Sequence, residues 1–138
     1  MKIVFFGTPG FAANSLEYLH KNGVEILQVI SAPDKQKGRG KKVIATQVKT
    51  KAEELKLSVL TPTSLKDNDF INELKNINAD LFVVVAFRML PKEIWEMPKM
   101  GTINLHTSLL PNYRGAAPIN RVLINGEKHT GITTFFID

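Results

Sequence analysis

The run Leu81-Phe82-Val83-Val84-Val85-Ala86 contains no polar side chain, and it constrains the fold more than any other stretch of the chain. Successive residues of a strand point to opposite faces, so a strand with one wetted face alternates apolar and polar residues. A run without alternation has to be covered on both faces, as in a parallel sheet layered between helices. Residues 2 to 6 read the same way and end in Gly7-Thr8-Pro9-Gly10, a sharp turn after a buried strand. Ala12, Leu16 and Leu19, flanked by Phe11 and Tyr18, then recur at helical spacing as far as a stop at Asn22-Gly23. Residues 25 to 31 are strand-forming, 32 to about 44 read as a basic, glycine-containing loop, and Val48, Ala52 and Leu55 are spaced to share a helix face. A short strand at 57–60, a helix at 68–76, a strand at 101–107, a helix from Ala117 to Ile124 and a strand at 131–137 complete the pattern. Strands alternate with helices throughout, which predicts an α/β fold: an open, mostly parallel, Rossmann-like doubly wound sheet with right-handed crossovers. With no internal repeat and no low-complexity linker, one domain is the economical reading.

Composition narrows the functional classes. A chain of 138 residues that is 43% hydrophobic and 22% charged is ordinary for a globular domain. No stretch approaches the roughly 18 apolar residues of a membrane span, and the N-terminal run meets Gly7 and Pro9 too early for a signal peptide. The expectation is a cytoplasmic protein without a membrane partner. The absence of cysteine excludes disulfides, thiolate metal sites and cysteine nucleophiles. His20, His106 and His129 fall on separate elements, so no metal site is expected. The net charge of +5 is concentrated: Lys35, Lys37, Arg39, Lys41, Lys42, Lys49 and Lys51 occur with no acid among them. That stretch is either a solvated mobile loop or the footprint of an anionic partner, nucleic acid foremost.

Two segments are candidates for chemistry. Gly7-Thr8-Pro9-Gly10 stands where α/β proteins hold phosphates on helix amides, but Pro9 occupies the second glycine position of a dinucleotide fingerprint and lacks an amide hydrogen. It is either a tight turn that lets helix and strand approach, or an anion-facing loop. In "INLHTSLLPNYRG", residues 103–115, strand alternation puts Asn104 and His106 on one side near a carboxyl end, where open parallel sheets bind ligands. An amide donor beside an imidazole can hold a developing oxyanion and move a proton, and no side-chain nucleophile is needed if the substrate supplies its own. The residues alone leave open that His106 is an edge histidine without chemistry.

The continuation Ser108-Leu109-Leu110-Pro111-x-Tyr113-Arg114-Gly115-Ala116-Ala117-Pro118 adds an ordering proline, a glycine turn and a helix start. With Phe6-Gly7-Thr8-Pro9, Ala32-Pro33-Asp34 and Gly38-Arg39-Gly40-Lys41-Lys42, the chain resembles, over essentially its whole length, the formyltransferases that use 10-formyltetrahydrofolate. Within that family it is most similar to the branch that formylates methionyl-tRNA, because related branches lack the lysine-rich insertion. The resemblance implies the formyltransferase fold, 10-formyltetrahydrofolate as formyl donor, no metal, and initiator methionyl-tRNA as partner of a monomer in translation initiation. It implies that Asn104 and His106 are catalytic, the first donating to the oxyanion and the second stabilising it and moving protons. It implies that Ser108, Leu109, Leu110 and Pro111 form the folate loop, with a cis peptide before Pro111. Backbone groups around Phe87, Arg88 and Leu90 are expected to read the pterin, although Phe87-Arg88 stands where the commonest pattern has Tyr-Gly with one more residue before the proline. Arg39, Lys41 and Lys42 are expected to contact tRNA.

In the family pattern a catalytic aspartate lies four residues beyond the position of Asp138. Residues 1–138 are therefore expected to be the N-terminal part of a catalytic domain, inactive alone, with the rest of that domain and a C-terminal β-barrel domain elsewhere in a longer polypeptide. The alternatives are a formyltransferase acting on an amino sugar, and a binding-only Rossmann-like module that takes a nucleotide at Gly7–Gly10 and RNA on the basic loop.

Overall fold

The computed structural model describes residues 1–138. Its elements follow in the order β1 (Lys2–Gly7), α1 (Gly10–Lys21), β2 (Glu25–Ile30), β3 (Lys35–Lys37), β4 (Lys42–Ile44), α2 (Gln47–Glu54) and β5 (Val59–Leu60). Then come α3 (Asn68–Ile77), β6 (Leu81–Val85), α4 (Lys92–Trp95), β7 (Thr102–His106), α5 (Pro118–Ile124) and β8 (Thr133–Phe136). Six strands form one sheet in the order β5-β2-β1-β6-β7-β8, parallel except for β8, which runs antiparallel to β7. The order reverses between β1 and β6, so the sheet is doubly wound as expected.

Both central strands are covered on both sides, and the two residue parities go to two cores. Val4, Phe6, Phe82 and Val84 pack with Phe70, Ile71 and Leu74 of α3 and Ile94 of α4. Ile3, Phe5, Val83 and Val85 pack with Ala12, Ala13 and Leu16 of α1 and Val48 and Ala52 of α2. This is the physical content of a run without alternation: every side chain of β6 is buried.

Two local readings need correction, and one element was not anticipated. The stretch 32–44 is not an irregular loop, because Lys35–Lys37 and Lys42–Ile44 pair as an antiparallel hairpin. Alternation was hidden there because all ten residues from 35 to 44 are exposed, leaving no apolar face to read. Leu55 caps α2 rather than lying inside it, although it still packs on the second core. The one-turn helix α4 has no periodicity to detect at four residues; Pro91 starts it and buried Ile94 anchors it.

The start of β1 is fastened to the start of β6 by Asp80. Its carboxylate accepts from the Lys2 backbone N–H at 2.9 Å, and its own N–H donates to the Lys2 carbonyl at 2.8 Å. The Lys2 amide first, and the Lys99 ammonium at 3.6 Å after it, hold the carboxyl below the ordinary aspartate value of 3.8. A carboxyl with a depressed folded-state pKa stabilises the fold above its unfolded value, and that contribution is lost as pH falls through the folded value. Asp80→Asn is therefore expected to lower the urea midpoint at pH 7 and to match the parent once pH is below the depressed value. Equal midpoints at pH 7 would show that the charge contributes nothing.

Candidate active site

The parity rule that builds the two cores also places the polar pair. Ile103 and Leu105 of β7 pack on the α1–α2 side, so Asn104 and His106 face the α3–α4 side. Asn104 lies directly across from Val84, and Leu105 across from Val85, so the segment leaving β6 at Ala86 departs beside the pair. Both side chains are half-buried. His106 Nε2 is 2.8 Å from the Tyr113 carbonyl oxygen, whereas the Asn104 amide is absent from the hydrogen bonds that knit this region together.

The loop after β7 is held from within and from β8. Ser108, fully buried, donates its hydroxyl to the Asn112 carbonyl at 2.7 Å, and the Asn112 N–H donates to the Leu109 carbonyl at 3.1 Å. Thr133 pins the loop from across the sheet: its hydroxyl donates to the Ser108 carbonyl at 2.7 Å and accepts from the Leu110 N–H at 3.1 Å. The Leu110–Pro111 peptide is cis. Sequence reasoning missed Thr133 because its role depends on the register that sets it opposite His106, 27 residues earlier in the chain. Its position at the start of a strand was the one available signal.

The segment from β6 combines committed side chains with uncommitted backbone. The Phe87 ring meets Phe6 edge-on at 5.6 Å between centroids, and Leu90 is buried in the first core. Arg88 donates to the carbonyls of Thr63 and Pro62 at 3.0 and 2.8 Å and stacks over Phe87 at 5.0 Å; burial pulls its pKa below the usual arginine value. In contrast, the N–H groups of Phe87, Arg88, Met89 and Leu90 donate to no backbone carbonyl, nor do their own carbonyls accept from any backbone N–H. Peptide groups left free beside a rigid side-chain clasp suit a planar ligand with donors and acceptors along its edge. The Phe87-Arg88 departure from the commonest pattern thus brings its own anchor, Arg88 to the 62–63 carbonyls.

The basic hairpin rises from the same edge of the sheet. Ser31, fully buried, and Thr46 share a hydrogen bond of 2.6 Å between their hydroxyls at the base of its two legs. Thr46 also caps α2 by accepting from the Lys49 N–H, and Lys49 clasps Asp34 with both carboxylate oxygens within 3.0 Å. Lys51 is likewise paired, with Glu54 at 2.9 Å and Glu17 at 3.6 Å. Within the basic stretch from Lys35 to Lys51, the free positive charge is therefore confined to Lys35, Lys37, Arg39, Lys41 and Lys42, with Arg39 at the tip between two glycines of positive φ. The hairpin follows β2, which is three strands from β7. At about 4.8 Å per strand spacing, its base and the end of β7 are separated by roughly 14 Å along one edge.

The glycine turn does structural work. A Cβ on Gly7 would come within 2.9 Å of the Val85 carbonyl oxygen and 2.8 Å of the Ala12 Cβ, and one on Gly10 within 2.7 Å of Gln47 Oε1. Close approach of β1, β6 and the start of α1 requires Gly7, because the Val85 carbonyl and the Ala12 Cβ cannot give way, whereas the Gln47 side chain end beside Gly10 can turn aside; the Gly7 contact supports the tight-turn reading. No group of three or more His, Asp or Glu side chains converges to hold a metal, and no helix is long and apolar enough to cross a membrane.

Comparison with known proteins agrees with this arrangement. A family described as formyl transferase matches residues 1–138. Proteins named methionyl-tRNA formyltransferase from Flavobacterium johnsoniae and Flavobacterium psychrophilum are 57% and 58% identical, over 100% of this chain and 44% of each relative. One of the same name from Clostridioides difficile is 53% identical over 100% of this chain and 45% of its own length. The chain thus spans less than half the length of these relatives. Among solved structures, a phosphoribosylglycinamide formyltransferase from Bacillus halodurans superposes with a TM-score of 0.75 at 17% identity, covering 100% of this chain and 72% of the other. A formyltetrahydrofolate deformylase from Pseudomonas syringae gives 0.70 at 20% identity, over 99% and 46%. At those identities the likeness concerns the fold.

Proposed function

Because the chain belongs to the formyl transferase family, we propose that it is the N-terminal part of the catalytic domain of an enzyme that moves the formyl group of 10-formyltetrahydrofolate to the α-amine of initiator methionyl-tRNA. The observation that carries this reading is geometric: an exposed, unpaired cationic hairpin and the Asn104–His106 pair stand on one edge of the sheet. Relatives 53–58% identical over the whole chain carry the same name and so support the same acceptor. Arg39, Lys41 and Lys42 would grip the backbone of the acceptor arm, with the guanidinium at the tip best suited to bidentate phosphate or base-edge contacts. The rest of the catalytic domain, including the family's aspartate, and a C-terminal domain would come from the remaining length of the polypeptide, which would act as a cytoplasmic monomer.

The chemistry assigned to each group is simple. The free peptide groups of residues 87–90 take the pterin, and the 108–111 loop closes over the folate. The amine nitrogen attacks the formyl carbon, the Asn104 amide donates to the oxygen as it becomes negative, and His106 takes the proton released. Collapse expels tetrahydrofolate. No step requires a metal.

The acceptor is tested by replacing Arg39, Lys41 and Lys42 together with alanine in a chain of the relatives' length. KM for methionyl-tRNA is expected to rise by about tenfold or more and the slope of log KM against log salt to fall by about one per lost phosphate contact, with KM for the folate unchanged. An enzyme for an amino sugar would be indifferent to all three changes, and that indifference would reject the tRNA acceptor.

A further inference from the structure

We propose that Tyr113 is a positioning residue that fixes His106 in the tautomer with its proton on Nε2, so that Nδ1 alone meets the reacting atoms. The inference rests on the reading of His106 as the group that handles the proton in formyl transfer. His106 Nε2 lies 2.8 Å from the backbone carbonyl oxygen of Tyr113. A carbonyl has no hydrogen to give, so the ring nitrogen is the donor, and in a neutral imidazole the lone pair then belongs to Nδ1.

That carbonyl is held in place from the far side of the loop. Tyr113 sits at φ +56°, in the left-handed region that a bulky side chain adopts only when its surroundings hold it there. Its phenol donates to the Glu127 carboxylate and accepts from Asn125 Nδ2 at 3.1 Å. The Arg121 guanidinium lies over the ring, 5.8 Å from its centroid, and donates to the Arg114 carbonyl. Glu127, as hydrogen-bond acceptor, raises the phenol pKa above the usual tyrosine value, so the hydroxyl keeps its proton and stays a donor. Three side chains contributed by α5 and the turn after it therefore act on His106 through one peptide group. The consequence for the reaction is a single proton port. As the amine nitrogen bonds to the formyl carbon, its surplus proton passes to Nδ1; when the bond from carbon to the folate nitrogen breaks, the same Nδ1–H returns that proton to the leaving nitrogen. Nε2–H is retained throughout, and the ring ends as it began.

The test is a long-range proton–nitrogen correlation spectrum of the chain carrying isotope-labelled histidine, with the His106 signals assigned by their loss in His106→Gln. The unsubstituted protein, above the pH at which the ring is protonated, is expected to show a protonated Nε2 and a bare Nδ1. Tyr113→Phe and, independently, Glu127→Ala are expected to move both nitrogens toward averaged values. Glu127→Gln, whose amide oxygen still accepts from the phenol, should restore the single tautomer. A proton on Nδ1 in the unsubstituted protein would overturn the proposal, as would an unchanged His106 spectrum in both Tyr113→Phe and Glu127→Ala. In a chain of the relatives' length, Tyr113→Phe is expected to lower kcat by about tenfold, a part of the 10²–10⁴ typical of positioned acid–base groups, with KM unchanged. A fall in kcat without a change of tautomer would also count against it. Failure of the unsubstituted full-length protein to transfer formyl groups at all would defeat the functional reading and leave the tautomer assignment standing.

Discussion

Asn104→Ala, in a chain of the relatives' full length, is expected to lower kcat for formyl transfer by about 10²–10³-fold, or roughly 2.7–4 kcal/mol of transition-state stabilisation, with both KM values little changed. The asymmetry follows from when the bond matters. A neutral formyl oxygen accepts a hydrogen bond weakly, and the same oxygen accepts it strongly once the amine has added and the charge resides on it. The amide is available for that task because the local network of Ser108, Thr133, Tyr113 and Asn125 leaves it unused. For the same reason, removing it should leave the melting temperature near that of the parent, which separates a catalytic loss from a folding loss. Steady-state kinetics beside a thermal melt decide the matter. A kcat within about threefold of the parent would remove Asn104 from the oxyanion site, since a typical neutral hydrogen bond, about 1 kcal/mol, is worth more than that.

Phe6→Ala is expected to cost about 3–5 kcal/mol of stability, a large share of the roughly 5–15 kcal/mol that holds a domain together. Phe6 is fully buried in the first core, tilted against Phe82 at 5.2 Å between ring centroids and edge-on to Phe87 at 5.6 Å. Its loss opens a cavity in the first core, between the face of the central strands and the helices α3 and α4, where close packing leaves little freedom to collapse. Because Phe87 begins the segment assigned to the pterin, the same substitution should raise KM for the formyl donor. Phe6→Leu refills most of the volume but forfeits two aromatic contacts of about 0.5–1.5 kcal/mol each. It is expected to recover most of the stability and less of the folate affinity. Urea unfolding and donor KM measured on both variants would show the split. Stability loss with an unchanged donor KM would show that Phe87 does not depend on Phe6 for its place.

How legible each feature was depended on the range of the interaction behind it. The non-alternating run Leu81–Ala86 could be read directly, because a strand period of two and burial on both faces leave one solution, and the two cores divide by parity as that solution demands. The Asn104–His106 pair was legible for the same reason: i and i+2 on a strand share a face. The hairpin at Lys35–Ile44 was not, since a wholly exposed ladder has no hydrophobic pattern to announce it. Lys49 and Lys51 looked like part of one basic stretch, and only their partners Asp34, Glu17 and Glu54 remove them from it.

The sequence by itself determined the doubly wound sheet, the polar pair at the end of its fifth parallel strand, and the family motif around Ser108–Pro111. Each of these depends on spacing of a few residues, where backbone geometry alone relates position to direction. Only the tertiary structure decided that Thr133 pins the loop after β7, that Arg88 ties residues 62–63 to the β6 segment, and that the Tyr113 carbonyl meets the ring of His106. Those are hydrogen bonds between atoms 7 to 26 residues apart along the chain. Their geometry depends on strand register and loop conformation, which no local pattern encodes: a one-residue slip would turn His106 and Thr133 to the opposite face, and their partners lie on loops with no period to read.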